Sequence, residues 1–318
     1  MRKNLWTLGA LALVCASGTL CAKEVTLGYS SVGLSYPFAA AIAKGFENAA
    51  KQAGVKTVVL DAKGDVQKQA NDIDDLIAQK VDGIAIMPLD STVAQGWVDR
   101  AAARDIPTVG VASEIGDPHK RPIKQVYEKL SALVTQDEVT AGAKAGAMAA
   151  PMLPNGRVAN IAIVEGSAGF AEVSQRTEGF KQGLDKAGAK YKIVASQPGD
   201  WTSEKGESTC QNILAAHPGV DLIFAQSDDM AVGCALALRT ASSNAKLIGM
   251  GGSKLAINAI KVGDVTGTVC YKPEEIGKLA FDALYGTVTK KNVQKAVFVA
   301  YDTPAITKVN LASCVPQW

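Results

Sequence analysis

From Val25 onward the chain repeats one unit: a short, almost continuous apolar run, a polar break, then a longer stretch whose apolar residues recur three and four positions apart. The runs are "VTLGYSS", "TVVLDA", "GIAIMP", "TVGVAS", "ALVTQD", "RVANIAIVEG", "KIVASQPG", "LIFAQS", "KLIGMGG" and "TGTVCY". Runs without polar alternation are the mark of strands buried on both faces of a parallel sheet. Between them, "PFAAAIAKGFENAAKQAG" predicts a helix that opens on Pro37 and stops at Gly54. "DVQKQANDIDDLIAQK" places Ile73, Leu76 and Ile77 on one helical face. "SDDMAVGCALALRTAS" predicts a helix capped by Ser227 or Asp228. Ten such strands are too many for one ordinary open sheet, and the pattern repeats about the middle of the chain. The fold class expected is α/β, with two doubly wound parallel-sheet lobes of about five strands each; a closed barrel is the rival architecture. "SEIGDPHKRPIKQVYEK", with two prolines and clustered charges, predicts an irregular surface loop near the mouth of a cleft.

The first residues break the pattern. "MRKN" is a basic head, "LWTLGALALVCASGTL" an apolar core shorter than the roughly 20 residues of a membrane span, and "CAKE" a return to polar sequence. This predicts a signal peptide over residues 1–22 and an exported mature chain from about Lys23, with cleavage a few residues earlier, or a lipid anchor at Cys15 or Cys21, as alternatives. Without Arg2 and Lys3 the basic residues fall to 31, equal to the 31 acidic ones, so no basic stripe for nucleic acid is expected. Four cysteines remain, Cys210, Cys234, Cys270 and Cys314, and an even number in an oxidising compartment favours disulfides. Their spacing lacks the close pairs of a structural zinc site, and three pairings are open.

Catalytic chemistry is sparse. His119 and His217 are the only histidines, one in the charged loop and one in the turn "AHPGV", which suits neither to be a general base. No phosphate-binding loop occurs, "GMGGSK" fails the dinucleotide fingerprint because Lys254 stands at its last position, and no zinc-protease motif occurs. No catalytic residue, metal or cofactor is expected. In doubly wound sheets ligands bind beyond the carboxyl ends of strands, and those ends carry Tyr36, Phe38, Phe170, Trp201, Tyr271 and Arg176 in a chain only 6% aromatic. Aromatic planes with a few polar groups at their edges suit a small-molecule cleft.

Several blocks carry a family likeness: "LSYPFAAAIAKGFENAAKQAG", "DVQKQANDIDDLIAQKVDGIAIMPLDS", "RTEGFKQGL", "VASQPGDWTSEKG" and "HPGVDLIFAQSDDMAVGCALAL". Across nearly the whole mature chain these resemble the periplasmic ribose-binding proteins and their relatives, the type I solute-binding proteins of ABC importers. The resemblance implies two lobes joined by a three-strand hinge, residues 23–135 with 272–301 forming one and 136–271 with 302–318 the other. It puts the crossings near Val134 to Asp137, Tyr271 to Lys272 and Tyr301 to Thr303. It implies a monomer in the periplasm that captures a small solute and hands it to an ABC permease. Presentation of the bound metabolite to a chemoreceptor or sensor kinase is the alternative, and an enzyme on this architecture a disfavoured third. The ligand-binding residues expected from the strand ends and the resemblance are Tyr36, Phe38, Ser113, Arg176, Trp201, Ser227 and Tyr271. Phe38 and Arg176 keep the family's residue types, and Trp201 stands in place of a phenylalanine. Elsewhere the pattern departs: Ala112 and Ser113 replace an Asp-Arg pair, Gly251 an aspartate, Ser227 and Tyr36 asparagines, and Tyr271 a glutamine. Sites built to hydrogen-bond hydroxyls discriminate through those polar groups, so the expected ligand is a modified sugar, a polyol or another small cyclic metabolite, and not ribose.

Overall fold

The computed structural model describes residues 24–291 and 295–318, so the expected signal peptide lies outside the described residues. The chain builds β1 (Thr26–Ser31), α1 (Pro37–Ala53), β2 (Lys56–Asp61), α2 (Val66–Ala78), β3 (Gly83–Ile86), α3 (Ser91–Ala102), β4 (Thr108–Val111) and β5 (Ala132–Val134). A second series follows: α4 (Glu138–Ala149), β6 (Ala159–Glu165), α5 (Ala171–Lys186), β7 (Tyr191–Pro198), α6 (Ser203–Ala216), β8 (Leu222–Ala225), α7 (Asp228–Thr240), β9 (Lys246–Ile248), α8 (Lys254–Val262) and β10 (Gly267–Val269). The chain then returns through α9 (Pro273–Val288), β11 (Val297–Val299) and β12 (Ala305–Thr307).

Two six-stranded sheets result, ordered β11-β5-β4-β3-β1-β2 and β12-β10-β9-β8-β6-β7. All pairings are parallel except β12 against β10. The ten predicted strands are all present. Each sheet gains a sixth from the final return, "VFV" and "AIT", each at a sheet edge and neither read as a strand from the sequence. The chain passes between the sheets three times, at residues 135–137, 270–272 and 300–304. Residues 113–129 form no helix or strand, as their prolines and charges predict.

Local chemistry accounts for the element ends. Pro37 occupies the first turn of α1, and Gly54 closes it in the left-handed region at φ 68°. Ser227 caps α7, its side chain accepting from the Met230 N–H. Helices cover both faces of each sheet, and each lobe has a core of aliphatic residues from strands and helices.

Three helix pairs approach at glycines. A methyl group at Gly45 would stand 2.1 Å from the Glu274 carbonyl oxygen, between α1 and α9. One at Gly179 would stand 2.0 Å from that of Val139, between α5 and α4, and one at Gly233 2.0 Å from that of Ser203, between α7 and α6. No side chain fits such contacts, so these glycines set the helix spacing. The α6–α7 pair is also cross-linked by Cys210–Cys234, while Cys270–Cys314 ties the second crossing to the last segment of the chain. These two bonds decide among the three open pairings.

Candidate functional site

The carboxyl ends of the strands in both sheets converge on a cavity between the lobes. The loop after β1 supplies Tyr36, the first turn of α1 Phe38, the loop after β6 Phe170, the turn after β7 Trp201, the start of α7 Ser227, Asp228 and Asp229, and the second crossing Tyr271. Glu172 and Arg176 lie four residues apart on α5 and so face the cavity together. The cavity gives the centres of water-sized molecules about 90 Å³. That is room for a small molecule.

The lobes meet across this cavity. The Ser91 N–H, at the start of α3, donates to the Gly169 carbonyl oxygen at 3.0 Å. Ser113 Oγ donates to Glu172 Oε2 at 2.7 Å, and Gln175 Nε2 donates to Glu114 Oε2 at 2.7 Å. Both contacts join the β4–β5 connection of one lobe to α5 of the other.

Six of the seven expected ligand residues come together on the wall: Tyr36, Phe38, Arg176, Trp201, Ser227 and Tyr271. Ser113 does not. Its hydroxyl lies behind Glu172, 3.3 Å from Ser91 Oγ, and holds the carboxylate from the other lobe. The structure thus places Ser113 beside the cavity lining and not in it, bonded to the lining residue Glu172. Trp201 sits in a tight turn with Asp200 and Trp201 both at positive φ, 50° and 63°, and its ring lies over Gly166, where a methyl would fall 1.8 Å from the indole. Its edge meets Phe170 at 5.7 Å between ring centroids.

Arg176 is fully committed on one side. Nε and Nη2 donate to the two oxygens of Glu138 at 2.8 Å each, and Nη1 donates to the Gln226 carbonyl oxygen at 2.6 Å. The partner is thus neither Glu172 nor Glu178, the neighbours in sequence, but a carboxylate 1% exposed in the first turn of α4. Of the five N–H groups of a guanidinium, two remain for a ligand. Burial opposes the Arg176 charge, yet Glu138, Tyr271 and Glu172 together more than offset this and hold its pKa above the ordinary value. Glu138 also accepts from Tyr271 Oη at 2.9 Å and from Gln136 Nε2. Gln136 in turn accepts from Tyr301 Oη at 3.3 Å, and that hydroxyl accepts from the Lys272 N–H at 2.9 Å. One polar chain therefore runs from the cavity wall through all three crossings. The guanidinium carbon lies 5.4 Å from the Trp201 ring centroid and 5.3 Å from that of Tyr271, within cation–π range.

The cavity holds acids that the strand-end reading passed over. Burial pushes Glu172 up to about 6 against the pull of Arg176, and burial also pushes Asp228 up to about 6 although the Thr268 hydroxyl and Ser253 N–H donate to it. Burial raises Asp229 as well. The carboxylates missing at positions 112 and 251 do not leave the cleft without acceptors. The i, i+4 spacing of Glu172 and Arg176 is the signal that could have found the first of these. Trp318 was missed too: it lines the cavity and meets Phe38 edge-on at 5.4 Å between centroids.

Burial pushes Glu114 up to about 7, Arg121 and the Gln175 amide pulling down and Asp117 up. A carboxyl raised on folding contributes stability that is complete below its ordinary pKa of 4.5 and lost as the pH rises through about 7. Glu114→Gln is expected to melt at the same temperature as the parent at pH 5 and a few degrees above it at pH 8. Thermal denaturation at both values checks this, and an unchanged gap at the two pH values would contradict it.

Comparison with known proteins agrees with this geometry. Residues 27–292 match the family described as periplasmic binding protein domain. The chain belongs to that family. It is 35% identical over 277 residues to the ribose import binding protein of Bacillus subtilis, covering 86% of this chain and 85% of that one. It is 33% identical over 258 residues to the D-allose-binding periplasmic protein of Escherichia coli, covering 79% and 81%. Among solved structures, a Mycobacterium smegmatis protein in complex with β-D-fucofuranose superposes with a TM-score of 0.82 at 25% identity, covering 91% of this chain and 93% of that one. This periplasmic binding protein has the type I fold and a solute-binding role, and its family and neighbours are binding proteins of transporters. No helix among the described residues is long and apolar enough to cross a membrane.

Proposed function

We propose that the chain, exported to the periplasm with residues 1–22 removed, captures one monosaccharide-sized sugar or polyol between its lobes and delivers it to an ABC permease without turning it over. The observation that supports this reading is the cavity itself. It has room for a small molecule, is walled by aromatic planes from both lobes, and carries Arg176, Glu172 and Asp229 at its edges. Each sugar hydroxyl both donates and accepts, so a wall that mixes cationic donors with carboxylate acceptors suits a polyhydroxylated ring whose apolar face stacks on Trp201 or Phe38. The lobes, residues 23–135 with 272–301 and 136–271 with 302–318, move about the three crossings, and ligand contacts from both sides favour the closed arrangement. Relatives named as import proteins favour delivery to a permease over presentation to a sensor. The departures at Ala112, Ser113 and Gly251 favour a ligand other than ribose.

Thermal shift tests the reading with D-ribose, D-allose, L-arabinose, D-fucose, xylitol and myo-inositol, and with L-glutamate and L-leucine as unrelated solutes. A ligand at a hundred times its Kd stabilises by about 2.7 kcal/mol, so at least one sugar or polyol is expected to raise Tm by roughly 5 °C or more, and by more than ribose does. A shift with an amino acid and with none of the six would contradict the reading.

A further inference from the structure

The last segment of the sequence, residues 310–318, runs back from β12 to the cleft and is fastened on both sides of it. Cys314 is bonded to Cys270 at the second crossing. The Lys254 N–H, at the start of α8, donates to the Trp318 carbonyl oxygen at 2.9 Å. The Glu274 N–H, at the start of α9 against the other lobe, donates to Gln317 Oε1 at 2.9 Å. These ties set the Trp318 ring edge-on to Phe38 and close to Gly251, where a methyl would stand 3.0 Å from the indole Cζ2. Gly251 therefore leaves the space that the indole fills.

Two indole N–H groups end up buried without a hydrogen-bond partner among the described residues, those of Trp201 and Trp318, and both rings line the same cavity. A buried donor left unmade costs free energy comparable to a lost hydrogen bond, and an indole nitrogen can only donate. Both tryptophans line the cavity with Arg176 and its two unused N–H groups, so their indoles add to the donors available there. Glu172 and Asp229 line the same cavity and supply acceptors.

We infer that Trp318 is a specificity-determining ligand residue, its indole N–H donating to an oxygen of the bound solute while the Trp201 N–H donates to another, with the Cys270–Cys314 bond positioning it. The ligand this selects is one with two acceptor oxygens, hydroxyl or ring ether, spaced across the cavity. The inference rests on the sugar or polyol reading above and adds which oxygens are held and by what. A phenylalanine at 318 keeps the ring against Phe38 and removes the donor alone, so it isolates the hydrogen bond from the packing.

The test uses the mature protein with 15N-indole-labelled tryptophan, titrated with each of the six sugars and polyols, and the variants Trp318→Phe, Trp201→Phe and Cys270→Ala/Cys314→Ala. The tryptophan indole resonances are assigned from the variants, with Trp97, packed in the core of the first lobe, as the internal reference. With a compound that raises Tm, the Trp201 and Trp318 indole protons are expected to move downfield together while that of Trp97 stays. Trp318→Phe is expected to bind that compound about tenfold more weakly, and the cysteine double variant to bind more weakly and to shift its Trp318 resonance less. If the compound binds, moves only the Trp201 proton, and binds Trp318→Phe within about twofold of the parent, the inference about Trp318 is overturned and the sugar reading stands. If none of the six moves either indole resonance or Tm, the sugar reading fails and the inference falls with it.

Discussion

Glu138→Ala is expected to cost about 3–5 kcal/mol of folding stability, because it leaves the Arg176 guanidinium buried without its counter-charge. The pair is bidentate and almost wholly enclosed, with side chains 7% and 1% exposed. Exposed ion pairs elsewhere on this chain, such as Lys278–Asp282, carry a small fraction of that. The loss reaches further than one pair, since Tyr271 and Gln136 also donate to Glu138 and belong to the second and first crossings. Ligand affinity should fall together with stability, as Arg176 is then free to swing away from the cavity. Glu138→Gln, which keeps an acceptor and removes the charge, should fall between parent and alanine. Denaturant unfolding followed by circular dichroism measures both variants; a cost below about 1 kcal/mol for the alanine would mean that water reaches Arg176 and that the polar chain does not hold the crossings.

Gly179→Ala should cost roughly 3 kcal/mol, at the upper end for overpacking. Its new methyl would meet the Val139 carbonyl oxygen at 2.0 Å, and backbone cannot rotate away as a flexible side chain could. The displaced helix is α5, which carries both Glu172 and Arg176, so the variant should also lose ligand binding although position 179 does not line the cavity. Gly96→Ala on α3 is the matched control. Nothing lies within 4 Å of its added carbon, and in a helix interior that change is neutral or stabilising by about 0.5–1 kcal/mol. Equal melting temperatures for the two variants would show that α4 and α5 slide apart freely, contrary to a spacing set by glycine.

The fold was legible because its strands are buried on both faces and therefore read as unbroken apolar runs, from "TVVLDA" to "LIFAQS". The final two strands were not read, although "AVFVAY" around β11 is itself an unbroken apolar run and β5, β9 and β10 are just as short. In the cleft, Phe38, Arg176, Trp201 and Tyr271 could be found because parallel topology sends every strand end to the same side. Glu138 could not, since its partner lies 38 residues away and only the packing of α4 on α5 joins them. Ser113 stood at a strand end and still missed the wall, because the Glu172 carboxylate from the other lobe comes between. Gly251 and Trp318 show the same limit from opposite sides. Read along the sequence, Gly251 was a lost aspartate. In space it is the gap into which an indole fits, brought there by a disulfide whose partner no spacing rule selects.

The central claim, one small polyhydroxylated solute held between two lobes, is tested most directly by native mass spectrometry of the mature protein isolated gently from a periplasmic extract. The account predicts a single adduct at one per chain with the mass of a pentose, hexose, deoxyhexose or polyol, reduced in Trp201→Ala and in Trp318→Phe. A stoichiometric adduct with the mass of an amino acid or peptide, unchanged in both variants, would contradict it.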